Sequence, residues 1–384
     1  MKTNYRSVYT AFDPYPSYKG SAIHIEKATN ILSQQFPSTL LLTLTGHLEK
    51  RNHERIEHAQ LELDEPNYLR RAMAFSERVD ELLDEQNNLM VGHFRDIWGG
   101  LPILKRQHIT SIFEVNGLPS IELVNRYPYI AETTLSKIRT YENECLEKSH
   151  LIICPSHTIK GHLVARGVMD DKIHVITNGA DLPPLSETIT DLPNEYIVYF
   201  GALQPWQGVD VLLKAMPYLR DKPELKLVIC SSHKEKFSKP YKKLIHKLDI
   251  EEQVVWKHQL NKDILHEIIS GAICTVAPLT ECGRNLEQGC SPLKIFESMA
   301  CKTPVVASDL PVVHEIIAPD HDGKLVPPDR PAELARAIRL LVDYPDFRQT
   351  LAKNAFQKFL ANYTWKKVDA QLRNFYTNLI ELAY

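Results

Sequence analysis

Gly289-Cys290-Ser291-Pro292-Leu293-Lys294-Ile295-Phe296-Glu297-Ser298-Met299-Ala300 stands between two short apolar runs, Ile273–Ala277 and Pro304–Ala307. Each run has the length and composition of a buried strand. Between them, Ser291 is suited to cap a helix and Pro292 to be its first residue. Strand, loop, helix, strand is the repeating unit of a parallel sheet covered by helices. The same stretch carries chemistry. The free N–H groups of a first helical turn, with the helix dipole, form an anion site suited to a diphosphate. Lys294 adds positive charge there, and Glu297, one turn further in, supplies a carboxylate for two ribose hydroxyls. Together these groups describe a nucleotide site; the plainer reading is a capped helix with a surface ion pair.

Working outward, the alternation continues in both directions. Strands are expected at Tyr196–Phe200, Leu225–Cys230 and Val254–Trp256, with helices between them. Upstream, Tyr5–Phe12, Leu40–Leu44, Leu89–Gly92, Ile109–Val115, Leu151–Cys154 and Ile173–Ile176 read as a second set of strands. Ser21 is placed to cap a helix through Ile23, Ile25, Ala28 and Ile31, and Glu49–Asn88 reads as polar and mostly helical. Asp181–Pro193 holds three prolines among polar residues and reads as a linker. The expected fold class is α/β: two doubly wound, Rossmann-like domains facing each other across a cleft, with ligands at the carboxyl ends of the strands. The expected boundaries are 1–185, 186–364 and a terminal helix, 365–384, that crosses back to the N-terminal domain. In that helix Trp365, Val368, Leu372, Phe375, Tyr376 and Leu379 form one apolar stripe.

The bulk composition excludes several classes. The chain has 384 residues, 43% hydrophobic and 24% charged, with a net charge of −3. That balance gives no whole-protein attraction to nucleic acid or anionic lipid. No run reaches the roughly 18 apolar residues of a membrane span, and no signal-peptide pattern follows Met1. The seven cysteines form no CxxC pair, and several sit in apolar runs, so a reducing, cytoplasmic compartment is expected. There is no HExxH, zinc spacing, Walker A loop or GxSxG elbow. Lys234, Lys236, Lys239, Lys242, Lys243 and Lys247 read as a solvated helix face; the sharper reading is a patch that steers an anionic donor or touches the inner membrane face.

Ser291–Ser308, SPLKIFESMACKTPVVAS, resembles the donor-binding segment of the retaining glycosyltransferases of family 4, which have the GT-B fold. The resemblance extends through Asp309–Ile317 and Asp322–Pro328, and begins earlier at Ile176–Asp181 and Tyr199–Gly208. It implies transfer of a hexosyl unit from a nucleotide-diphosphate sugar to an acceptor hydroxyl, with retention of anomeric configuration and without a metal or other cofactor. The acceptor is left open as a glycan, a lipid-linked group or a small molecule, and no nucleic-acid partner is implied. The donor-site residues implied are Gly20, Ser21, Gly208, Arg284, Cys290, Ser291, Pro292, Leu293, Lys294 and Glu297. This sequence departs from the family pattern at four places. Gly289 replaces the first of two glutamates, and Ala202 and Gln207 stand where an arginine and a lysine hold the diphosphate. Glu114 stands where many members have a histidine that contacts the sugar. Glu114 and His93, at polar strand ends, are therefore the candidate catalytic residues. The departures keep two rivals open: a non-catalytic nucleotide or glycan binder that partners another transferase, and a nucleotide-sugar epimerase.

Overall fold

The computed structural model describes residues 6–49, 53–184 and 192–382. It divides into an N-terminal unit, residues 1–176 with 369–384, and a C-terminal unit, 177–368.

The N-terminal unit contains β1 (Arg6–Tyr15), α1 (Gly20–Gln35), β2 (Ser38–Thr45), β3 (Ile56–Leu61), α2 (Tyr68–Asp84), β4 (Leu89–Phe94), α3 (Ile97–Leu104), β5 (Thr110–Glu114), α4 (Pro119–Arg126), α5 (Glu132–Lys148), β6 (Leu151–Cys154), α6 (His157–Ala165) and β7 (Ile173–Val175). Its seven strands run in the order β3-β2-β1-β4-β5-β6-β7, and every pairing is parallel. The order reverses between β1 and β4, which places the ligand crevice of such a sheet at their carboxyl ends. Local chemistry sets the helix starts. Asn67 accepts from the backbone of Leu69 and Arg70 to open α2, Asp96 from Trp98 and Gly99 to open α3, and Ser156 from Ile159 to open α6.

The C-terminal unit repeats the plan with β8 (Glu195–Gly201), α7 (Val209–Ala215), β9 (Leu225–Ser231), α8 (Lys239–Leu248), β10 (Val254–His258), α9 (Lys262–Ser270), β11 (Thr275–Ala277), α10 (Leu293–Ala300), β12 (Val305–Ser308), α11 (Pro311–His314), β13 (Lys324–Val326), α12 (Pro331–Asp343) and α13 (Pro345–Asn362). Its six strands are ordered β10-β9-β8-β11-β12-β13, all parallel, with the reversal between β8 and β11. A last helix, α14 (Trp365–Leu382), begins in this unit and ends in the N-terminal one. All six residues of its apolar stripe are buried. Leu372, Phe375, Tyr376 and Leu379 pack with Tyr9, Ile25 and Ile112 of the N-terminal unit.

Several sequence expectations are corrected. The polar stretch Glu49–Asn88, expected to be mostly helical, contains the edge strand β3, and short β13 is an additional strand. The boundary expected at 185 lies at Ile176, because Ala180 bridges Thr364 and Asn178 bonds the Ser291 carbonyl, both within the C-terminal unit. Of the expected linker Asp181–Pro193, residues 185–191 lie outside the described residues.

Candidate functional site: two strand-end clusters

In the C-terminal unit the sheet's reversal brings the end of β8 beside the end of β11. Gly208 caps α7 with φ +69°, and a Cβ there would lie 1.7 Å from the Pro278 carbonyl oxygen. Only glycine permits that close approach. The segment after β11 makes one turn of π-helix, Arg284–Gln288. Asn285, fully buried, ties it down by donating to the carbonyls of Trp206 (3.0 Å) and Thr280 (2.8 Å). Gly289 follows with φ +83° and ψ 177°, a conformation essentially confined to glycine. That backbone would strain a glutamate at this position.

Helix α10 then starts at Leu293 with Pro292 at its cap, so Ser291 is not the capping residue and Pro292 is not the first helical one. The Ser291 carbonyl accepts instead from Asn178 Nδ2 at 2.7 Å. Leu293 is half-buried, and Cys290 is buried with its thiol pushed up by burial, against the pull of Arg284. Lys294 is only 8% exposed. Its Nζ donates to Gln207 Oε1 at 2.6 Å and sits 4.2 Å from the Tyr199 ring centroid. Gln207 thus orients a cation contributed by α10. Burial lowers the Lys294 pKa to about 7. Glu297 is half-buried, and burial raises its carboxyl to about 7 despite Lys262 and Lys294. The Arg284 guanidinium lies 5.3 Å from the Trp206 ring centroid.

In the N-terminal unit the ends of β1, β4 and β5 carry a second cluster, centred on the Glu114 carboxylate. Oε2 accepts from Tyr9 Oη (2.8 Å) and faces His93 Nε2 (3.1 Å). Oε1 accepts from Arg95 Nη1 and Asn116 Nδ2, both at 2.6 Å, with His24 Nδ1 at 3.4 Å. Those contacts occupy the carboxylate's lone pairs. Burial alone would raise its pKa; Arg95 first, then His24 and His93, outweigh burial and hold it well below the usual carboxylate range. His93 is 1% exposed, and its Nδ1 lies 2.6 Å from Tyr376 Oη. Glu114 therefore has no lone pair, and His93 no ring nitrogen, left over for a ligand. Arg95 does have unspent capacity: its side chain is 8% exposed and its buried Nε has no hydrogen-bond partner. Asp13 lies 3.9 Å from that Nε. Behind the cluster, burial raises the Asp96 carboxyl to about 6, although Phe12 N donates to it at 2.6 Å.

Sequence reading missed Tyr9, His24, Arg95, Asn285 and Tyr376. Several of their partners lie far away in the chain; Tyr9 and Glu114 are 105 residues apart, His93 and Tyr376 are 283. The one local signal was Arg95, two positions after His93 at the same polar strand end. Ser21 does not cap α1: the cap is Lys19, Gly20 is the first helical residue, and the buried Ser21 hydroxyl has no partner. On α8 and just before it, all six lysines are exposed. Lys242 pairs with Glu235 at 2.6 Å, and Lys236 lies over the exposed Phe237 ring. Among the described residues, no group of three or more His, Cys, Asp and Glu is placed to hold a metal ion. Among them too, no helix is long and apolar enough to cross a membrane.

The two units match two family models. Glycosyltransferase Family 4 matches residues 19–183, and Glycosyl transferases group 1 matches residues 187–358. The chain belongs to glycosyltransferase family 4, with the GT-B fold. It is similar to the MMP alpha-(1->4)-mannosyltransferase of Mycolicibacterium hassiacum, 28% identical over 205 residues, 53% of this chain and 48% of that one. It is also similar to the O-antigen chain mannosyltransferase RfbU of Salmonella typhimurium, 25% identical over 226 residues, 58% of each. The chain spans about half the length of the curated relatives it matches. Among solved structures, sucrose-phosphate synthase from Thermosynechococcus elongatus superposes with a TM-score of 0.82 at 18% identity, covering 99% of this chain and 100% of that one. Anabaena HepE in complex with UDP and glucose gives 0.75 at 17%, covering 97% and 100%. Likeness at that identity speaks for the fold alone.

Proposed function

We propose that this chain is a retaining glycosyltransferase. It moves a hexosyl unit from a nucleotide-diphosphate sugar, bound by the C-terminal unit, to an acceptor hydroxyl. The observation that carries the reading is the pairing on one helix of Lys294, at an amide-rich start, with Glu297 one turn on. Lys294 is buried and Glu297 half-buried, and burial brings both pKa values to about 7, ready for an anion and a pair of hydroxyls. The diphosphate takes the α10 amides and Lys294, with Arg284 as a further cation; the ribose takes Glu297. In the N-terminal unit Arg95 and Asn116 offer donors to acceptor hydroxyls, while Glu114 and His93 hold those donors in place.

Attack by the acceptor hydroxyl on the face from which the diphosphate departs gives retention. The departing phosphate oxygen accepts the hydroxyl proton, so no protein nucleophile is used. Catalysis then rests on positioning and on stabilising the leaving diphosphate. Lys294 and the amides supply that stabilisation, and we infer a metal-independent reaction. The UDP and UDP-glucose bound in HepE structures, and the mannosyl transfer named for two relatives, support a nucleotide-sugar donor here. Seven cysteines outside any disulfide, six of them buried, fit a reducing cytoplasmic setting. The exposed lysines around α8 fit transient contact with an anionic surface.

The test is release of nucleoside diphosphate from a panel of UDP-, GDP-, ADP- and dTDP-hexoses, with and without added acceptors, followed by NMR of the product's anomeric centre. Transfer with retention, undiminished by EDTA, is expected. Nucleotide binding without release in any combination would leave a non-catalytic binder. Interconversion of the sugar without an acceptor would mark an epimerase.

A further inference from the structure

We propose that Tyr376 is a positioning residue of the N-terminal cluster, acting through His93 and Glu114 on Arg95 and Asn116. The proposal rests on the reading of that cluster given above. Tyr376 lies on α14, 283 residues from His93, and is fully buried among Leu372, Phe375 and Leu379. Packing there needs an apolar ring; a hydroxyl in such a place is costly unless it is bonded.

The direction of each bond follows from the acceptor at the end of the chain. Ionised Glu114 can only accept, so His93 Nε2 must carry a proton to face Oε2 at 3.1 Å. In a neutral ring the other nitrogen is then an acceptor, so Tyr376 donates its hydroxyl proton to Nδ1 at 2.6 Å. Burial raises the Tyr376 pKa well above the usual tyrosine value and keeps that proton in place. Tyr376 therefore selects the Nε2–H tautomer. The opposite tautomer would set an unprotonated Nε2 against a carboxylate oxygen, acceptor against acceptor. With Oε2 held by His93 and Tyr9, Oε1 stays turned toward Arg95 and Asn116. Without the tyrosine hydroxyl, Nδ1 is a buried acceptor with nothing to accept, the ring can invert its tautomer, and the carboxylate is free to turn.

The experiment reads the cluster directly and needs no identified substrate. The full chain, labelled with ¹⁵N in histidine and arginine, is compared by NMR with Tyr376→Phe. In the unaltered chain His93 should be a single neutral tautomer with Nδ1 accepting a hydrogen bond. In Tyr376→Phe, His93 should populate both tautomers, and the Arg95 Nη1–H, which donates to Glu114 Oε1, should exchange with water about tenfold faster, the ratio expected for loss of one buried hydrogen bond. The double-mutant cycle closes the case: in a His93→Gln background, adding Tyr376→Phe should leave Arg95 exchange unchanged. A His93 ring protonated on Nδ1, or Arg95 exchange that Tyr376→Phe leaves as it was, overturns the proposal. So does an equal effect of Tyr376→Phe in both backgrounds, which would mark a packing role only. Failure of the transferase reading would appear instead in the nucleotide-sugar panel, with these spectra unaffected.

Discussion

The two strand-end clusters occupy equivalent places in two sheets of the same topology, yet their electrostatics are opposite. In the N-terminal unit a buried carboxylate is surrounded by donors, and its pKa is held far down. In the C-terminal unit burial outweighs the Gln207 and Tyr199 contacts of Lys294 and the nearby lysines of Glu297, and both drift to about 7. The Glu114 carboxylate is complete without a ligand; the Lys294 and Glu297 pair is left for a ligand to complete. A satisfied network fixes geometry, whereas an unsatisfied pair stores affinity for what will satisfy it.

The sharpest way to break this contrast is to remove Glu114. Glu114→Ala leaves Arg95 as a buried charge without its partner, and unfolding of the N-terminal unit should become easier by about 3–5 kcal/mol. Chemical denaturation reads this; a change under 1 kcal/mol would mean that the cluster is not the closed network described. Glu297→Ala should do the reverse, weakening nucleotide binding by about 1.5–3 kcal/mol while sparing stability. Calorimetry on the same protein separates the two quantities, and unchanged affinity would remove Glu297 from the ribose.

A smaller effect concerns the glycine that stands for the family's first glutamate. Gly289→Glu restores an acid but forces a side chain onto φ +83°, ψ 177°. The expected result is a loss of about 1–3 kcal/mol in stability with no gain in transfer rate. A faster enzyme would show that the loop can change its backbone to accept the acid.

These contrasts also explain what the sequence could reveal. The C-terminal cluster was legible because its parts are local: Ser291 to Glu297 sit on one loop and one helix, and a cap, a cation and an acid at fixed spacing have chemical meaning in sequence. Even there the helix start was misplaced, since Asn178, from across the unit, holds the Ser291 carbonyl. The N-terminal cluster was half legible. His93 and Glu114 stood out as polar strand ends, but their roles depend on Tyr9, His24 and Tyr376, which arrive from other elements. Strand β3 was hidden because an edge strand with half-exposed residues, Ile56–Leu61, lacks the apolar run of a central one.

The pH dependence of stability gives a subtler test. Glu297, with its pKa raised, stabilises the fold below its unfolded value of 4.5 and loses that contribution as pH rises to about 7. Lys294, with its pKa lowered, makes stability climb with pH between about 7 and its unfolded value of 10.5. Glu114 contributes stability that is lost only as pH falls below 4.5. Lys294→Met should therefore flatten the climb above neutrality and leave the acid limb in place, as thermal melts across pH would show.

The most direct test of the central claim is calorimetric titration with UDP, GDP and ADP at about pH 8, in buffers of different ionisation enthalpy. If the diphosphate completes the Lys294 site, the nucleotide that binds should draw a proton onto the protein, because most Lys294 is neutral there and most Glu297 already ionised. In Lys294→Met that uptake should vanish and affinity should fall. Binding without proton exchange, or uptake that persists in Lys294→Met, would contradict the account.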